Sequence, residues 1–202
     1  MDINYILYFI LGYLIGSIPF ALIVGKGLFK VDIRKHGSGN LGGSNAGRVL
    51  GSKAGALVIV LDVLKAVIPT LVVLALGKEN YAIILGLAIA IGHCYPIFAG
   101  FKGGKAVATS FGYIGACVIT NPYLFLFILL IPLITLVLVI KITKYVSIGS
   151  ITSLAVAVIM SYLLQSNLVL SLSFTLLWLF VIFRHTPNIK NLINHTEKKV
   201  SW

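Results

Sequence analysis

Glycine, small polar residues and basic residues concentrate in three stretches of this 202-residue chain: GSGNLGGSNAGR over 37–48, GHCYPIFAGFKGGKA over 92–106 and RHTPNIKNL over 184–192. Successive glycines expose backbone N–H groups that can close around an anion, hydroxyls and amides add donors, and Arg or Lys supplies the countercharge. The chemistry that such a set serves is recognition of phosphate-bearing molecules. In the first stretch the candidate phosphate contacts are Gly39, Asn40 and Asn45. In the second, Gly103, Gly104 and Lys105 open a predicted helix, where free N–H groups and the positive end of the helix dipole favour a phosphate. In the third, His185 beside Arg184, with Asn188 following, is the histidine best placed for chemistry.

Two familiar nucleotide motifs are approached and not met. GSGNLG fits G-x-G-x-x-G, yet no Val/Ile strand precedes it and no acidic residue about 20 positions on is placed to hold a ribose, since Asp62 lies within a predicted membrane span. FKGGKA resembles a phosphate loop, but the spacing is broken and Ala106 occupies the place of the magnesium-binding hydroxyl. Dinucleotide binding and ATP hydrolysis are therefore disfavoured, and no metal set or cofactor motif is found. Cys94 and Cys117, both in apolar surroundings, read as structural.

The elements that must position these stretches are membrane helices. Hydrophobic residues make up 59% of the chain, charged ones 10%, and the mean hydropathy is +1.05. That composition lies outside the range of soluble domains. With 16 Lys and Arg against 5 Asp and Glu, the net charge of +11 points to anionic partners, lipid headgroups or phosphorylated substrates. A nucleic-acid reader needs a solvated basic face, which this chain lacks.

At about 20 apolar residues per crossing, candidate spans fall near 4–25, 54–76, 81–99, 106–120, 123–140, 146–164 and 168–183. The fourth and seventh are short, so a five-span count that demotes two segments is the alternative. MDINY lacks the basic region of a signal peptide, and the first apolar run is read as retained. Placing the N-terminus outside puts every Lys and Arg except Lys65 and Lys78 in inner loops, in accord with the positive-inside rule. The expected fold is all-α: one polytopic domain over 1–202, seven transmembrane helices, N-terminus outside and C-terminus cytoplasmic. All three glycine-rich or basic stretches then share the cytoplasmic face. Within the second span, Asp62 and Lys65 stand three residues apart on one helical face and are expected to form a structural ion pair. The tail NHTEKKVSW reads as a juxtamembrane end with Trp202 at the headgroups.

In order and spacing, SIPFALIVGK, GSGNLGGSNAGR, the Asp62 and Lys65 pair, GHCYPIFAGFKGGKAVATSFG, KYVSIGS and RHTPNIKNL resemble the bacterial acyl-phosphate:glycerol-3-phosphate acyltransferase family, from about residue 10 to 192. The resemblance implies a seven-helix enzyme of the inner membrane that moves a fatty acyl group from acyl phosphate to the first hydroxyl of glycerol 3-phosphate. The products are lysophosphatidic acid and phosphate, the reaction opens phospholipid synthesis, and no cofactor is required. An acyl-phosphate-forming enzyme is the implied upstream partner. Carried over by position, the site comprises Ser38 and Arg48 in the first motif, Gly103, Gly104 and Lys105 in the second, Ser147 and Ser150 before the sixth helix, and His185 and Asn188 in the third. Ser38, Arg48, Lys105, His185 and Asn188 are the expected catalytic set; the others bind substrate phosphate.

One feature of the residues bears on the donor. Other glycerolipid acyltransferases use a His with an Asp five residues later, but the four histidines here, His36, His93, His185 and His195, are followed at that spacing by Leu41, Phe98, Lys190 and Val200. The only carboxylate in the predicted inner loops before the tail is Asp32. A thioester donor brings no base, whereas the phosphoryl oxygens of an acyl phosphate can accept the hydroxyl proton. The expectation is substrate-assisted transfer without a dedicated protein base. A small anion transporter is the rival reading; against it, the basic loops lie on one side and no pair of broken helices marks a midplane site.

Overall fold

The computed structural model describes residues 2–200, and among them every regular element is helical. Contacts divide the chain into two compact units, Met1–Ala116 and Cys117–Trp202. Trp202, expected at the headgroups, lies outside the described residues.

In the first unit, Asp2 caps α1 (Ile3–Gly16) by accepting the Asn4 N–H at 3.0 Å. Pro19, which has no N–H to continue the ladder, separates α1 from α2 (Phe20–Leu28), and the pair makes a 26-residue apolar span. A short 3₁₀ turn at Ile33–Lys35 and α3 (Gly43–Leu50) carry the first glycine-rich stretch to α4 (Ser52–Ala75). Parallel to α1 runs α5 (Glu79–Cys94), the element with which α1 makes its most extensive contact: Tyr5 and Tyr8 meet Tyr81 at one end, and Tyr13 donates to the Tyr95 carbonyl at the other. Small residues allow this: a methyl at Gly16 would stand 2.2 Å from the Ile89 carbonyl oxygen, so the two backbones touch where a side chain would hold them apart. Ala66, Val73, Ala82, Leu85 and Ile89 fill the space between α4 and α5. The unit closes with α6 (Val107–Val118), whose last residues cross the division.

The second unit is a helical hairpin with a bent extension. α7 (Pro122–Leu124) is capped by Asn121, continues through a π-helical segment at Phe125–Leu130 and becomes α8 (Ile131–Thr143), together a 22-residue span. It packs against α9 (Val146–Leu164), which packs in turn against α10 (Leu168–Arg184). At His185 the chain bends by 54° into α11 (Thr186–Ile193), with Pro187 in its first turn.

Large apolar side chains such as Ile10, Ile68, Val72, Val137 and Ile142 point outward along these helices. In water that surface would be untenable, and a bilayer is what covers it. By length and composition five helices among the described residues can cross a membrane, or six if the bent α10–α11 pair counts as one. The segments expected as the fourth and seventh spans are those that fall short. At 12 residues, α6 reaches roughly 18 Å at 1.5 Å per residue, against a hydrocarbon core of about 30 Å.

Candidate functional site

The first glycine-rich stretch is organised by Asn45, 2% exposed on α3. Its Oδ1 accepts the Ser38 N–H at 2.8 Å, and its Nδ2 lies within hydrogen-bonding reach of the carbonyls of Ile33, His36 and Asn40 at 3.2, 3.3 and 3.0 Å. Gly37 and Gly39 have φ of +64° and +71°, and a methyl on Gly37 would fall 2.2 Å from Asn45 Oδ1. Asn45 thus shapes the loop from within, while Ser38 and Arg48 are exposed and Gly39 and Asn40 are half-buried. Beneath them Ala21, Val24, Ile33, Leu41, Ala46 and Val58 form a small apolar floor.

Asp32, which precedes the loop, is held by its basic neighbours. Arg34 donates to it through Nε at 2.9 Å and Nη2 at 2.6 Å, and Lys26 approaches to 3.5 Å. The Arg34 hydrogen bonds, with the charges of Arg34 and Lys26, hold the Asp32 carboxyl well below the usual carboxylate range. A carboxylate in that state is a poor base.

The second stretch folds back on the end of α5. After a 3₁₀ turn at Ile97–Ala99, the Gly104 N–H donates to the His93 carbonyl at 2.9 Å, and Gly103 and Gly104 are both buried. Lys105 follows, half-buried; α6 begins only at Val107, so Gly103, Gly104 and Lys105 form a turn before the helix instead of opening it, and the Gly104 N–H is taken by His93. Nearby on α4, the Lys65 ammonium lies 2.8 Å from Asp62 Oδ1 and donates to His93 Nδ1 at 2.9 Å and to the Ile18 carbonyl at 3.1 Å. Asp62, Lys65 and His93 are 1%, 6% and 6% exposed. The pair is therefore one part of a three-residue cluster, and His93 had no sequence signal beyond its place at the end of a span.

In the second unit, Glu197 gathers two of the predicted site residues. Its Oε1 accepts from Asn188 Nδ2 at 2.6 Å and from Ser147 Oγ at 3.3 Å, and Oε2 accepts from Asn191 Nδ2 at 3.5 Å. The tail is thus more than a juxtamembrane end. The signal available for Glu197 was its charge, a single carboxylate in a strongly basic segment. Ser147 and Ser150, expected before the sixth helix, both lie within the first turns of α9, where Ser150 is buried and donates to the Val146 carbonyl at 2.8 Å. His185, 2% exposed, places Nδ1 2.8 Å from the Val181 carbonyl. A carbonyl only accepts, so Nδ1 carries the proton and a neutral ring presents its lone pair at Nε2.

Each unit thus holds polar groups that can bind an oxyanion or orient a hydroxyl: Ser38, Arg48 and the Gly103–Lys105 turn in the first, Ser147, His185 and Asn188 in the second. Among the described residues no group of three or more His, Cys, Asp or Glu is arranged to hold a metal. Cys94 is buried and Cys117 half-buried, and neither belongs to a disulfide.

Residues 6–195 match the model of the family described as glycerol-3-phosphate acyltransferase. Curated relatives of that name include one from Bacillus subtilis, 46% identical over 196 residues that cover 97% of each chain, and one from Geobacillus kaustophilus, 41% identical over 97% of this chain and 96% of its own. Among solved structures, the crystal structure of PlsY, an integral membrane glycerol 3-phosphate acyltransferase in its glycerol 3-phosphate form, superposes with a TM-score of 0.89 at 33% identity. That match covers 98% of this chain and 96% of the other. The lysophosphatidic acid form of the same protein gives 0.87.

Proposed function

Because the chain belongs to the glycerol-3-phosphate acyltransferase family, an integral membrane family of bacterial acyltransferases, we propose that its donor is an acyl phosphate and that the donor itself takes the proton. The sn-1 hydroxyl oxygen of glycerol 3-phosphate attacks the acyl carbonyl carbon. Its proton passes to a phosphoryl oxygen of the donor as the bond between acyl carbon and phosphate oxygen breaks, so phosphate leaves carrying that proton and lysophosphatidic acid remains.

The observation that carries this reading is the orientation of His185. Its Nδ1–H is engaged by the Val181 carbonyl, where a base dyad would place a carboxylate that stabilises the imidazolium. Asp32, clamped by Arg34, is a weak base. The transfer step therefore relies on orientation and on electrostatic stabilisation, which are suited to a reaction whose donor can accept its own proton.

In this mechanism His185 and Asn188 position glycerol 3-phosphate, and neither takes the proton of the attacking hydroxyl. Arg48 and Lys105 stabilise the growing oxyanion and the departing phosphate, with Ser38 as a further donor. Gly39, Asn40, Gly103, Gly104, Ser147 and Ser150 contact the substrate phosphates, and Asn45 contributes by fixing the loop. The whole chain acts as one domain in the bacterial inner membrane, with seven helices, the N-terminus outside and the site loops in the cytoplasm. The lipophilic donor enters from the inner leaflet, supplied by an acyl-phosphate-forming enzyme. The charge asymmetry of the loops supports that orientation.

The test is product formation. Purified protein in detergent, given acyl phosphate and radiolabelled glycerol 3-phosphate, is expected to yield labelled lysophosphatidic acid without any sealed compartment. Absence of product under conditions that preserve the fold would overturn the assignment.

A further inference from the structure

We propose that His93 is a positioning residue for phosphate recognition: held by Lys65, its ring sets the geometry of the Gly103–Gly104 turn that presents Lys105. This rests on the reading that the turn receives the phosphate of one of the two substrates.

Two contacts join the turn to His93. The Gly104 N–H donates to the His93 carbonyl at 2.9 Å. A methyl on Gly104 would lie 2.0 Å from His93 Nε2, 2.8 Å from Cε1 and 2.9 Å from Cδ2, so the imidazole edge lies directly against the glycine backbone. At Gly103 a methyl would fall 2.1 Å from the His93 carbonyl oxygen. Nothing larger than hydrogen fits at either position while the ring and the turn keep their places.

The ring is itself fixed from the other side. Lys65 donates to Nδ1 at 2.9 Å and to the Ile18 carbonyl at 3.1 Å, and pairs with Asp62 Oδ1 at 2.8 Å. An ammonium has only donors, so Nδ1 is the acceptor and the ring proton resides on Nε2, the edge that faces Gly104. Rotating the ring would break a hydrogen bond of a buried charge, a costly change. Asp62 and Lys65 on α4 thereby determine, through His93 on α5, where the turn before α6 sits. Displacing the turn would weaken the charge-assisted contacts that it offers a bound phosphate.

Two substitutions separate positioning from folding. In His93→Asn, Oδ1 replaces the acceptor that Lys65 needs while the part of the ring against Gly104 is removed. Gly104→Ala adds a methyl where the ring stands. KM and kcat are read separately for glycerol 3-phosphate and acyl phosphate on the full chain in detergent. We expect His93→Asn to melt with the wild type and keep kcat within about threefold, while KM for one of the two phosphate substrates rises about tenfold or more. The substrate that moves is the one the turn receives. Gly104→Ala is expected to raise the same KM, and the double variant to recover part of that loss because the methyl gains the vacated space.

Wild-type KM for both substrates in His93→Asn overturns the proposal, as does a Gly104→Ala penalty that is equal with and without the ring. If His93→Asn does not fold, Gly104→Ala alone decides: a raised KM at preserved kcat supports the proposal and an unchanged KM overturns it. Failure of the wild type to use acyl phosphate would overturn only the donor assignment. The KM for glycerol 3-phosphate is then read with an acyl thioester that supports turnover.

Discussion

Asp32 and Glu197 are carboxylates engaged by neighbouring donors, which bears on whether the enzyme owns a base. The Arg34 hydrogen bonds lower the Asp32 pKa. A carboxylate lowered on folding contributes stability above its unfolded pKa and loses it only as pH falls through the folded value, so this clamp persists from about pH 8 down past pH 5. We expect Asp32→Asn to keep the shape of the wild-type pH–rate profile over that range, with turnover reduced less than about tenfold, because a partly exposed pair contributes about 0.2–1 kcal/mol. Loss of the ascending limb would give Asp32 the role of a base. Glu197 differs in kind, since it orients Asn188 and Ser147. Removing its acceptor in Glu197→Ala should lower kcat/KM by roughly 10- to 100-fold, the equivalent of about 1.5–3 kcal/mol for a charged hydrogen bond. Glu197→Gln, which keeps an acceptor oxygen, should recover part of the loss. His185→Gln, with Oε1 near the place of Nε2, should stay within about tenfold of the wild type, whereas removing an obligatory base costs about 10²–10⁴-fold.

At the scale of elements, α4 and α5 carry the polar cluster through an apolar unit. The helical character of both, and the shared face of Asp62 and Lys65, were legible in the sequence because apolar run length and i,i+3 spacing are local properties. The contact of Lys65 with His93 was not, since it joins residues on different helices and depends on how closely those helices pack. Glu197 was missed for a similar reason: its partners, Asn188 and Ser147, lie 9 and 50 positions away. Asn45 was legible as a polar residue in a glycine-rich loop, but its inward orientation follows from the positive φ of Gly37 and Gly39. Spans failed to separate cleanly at α6 and α10, where helix ends are set by tertiary turns at 103–106 and 185 rather than by a change in apolarity. Asp62→Ala leaves Lys65 without its buried countercharge and is expected to destabilise the fold by about 3–5 kcal/mol. The measurement is monodisperse yield and melting temperature in detergent; full yield with abolished turnover would mean that the cluster acts in catalysis and not in folding.

At the scale of the whole molecule, the proposed orientation places the loops at 37–48 and 92–106 and the segment 184–192 in the cytoplasm. In a background lacking Cys94 and Cys117, a cysteine at Ser44 should react with an impermeant thiol reagent only from the cytoplasmic side, and one at Glu79 only from outside. Reversed labelling would contradict the orientation. The most direct measurement of the central claim is donor choice by the purified enzyme at matched acyl chain length. Substrate-assisted transfer predicts steady formation of lysophosphatidic acid from acyl phosphate and glycerol 3-phosphate, and none above background from acyl-CoA or acyl carrier protein, because a thioester has no phosphoryl oxygen beside its carbonyl carbon to accept the hydroxyl proton. Comparable turnover with either thioester would contradict it.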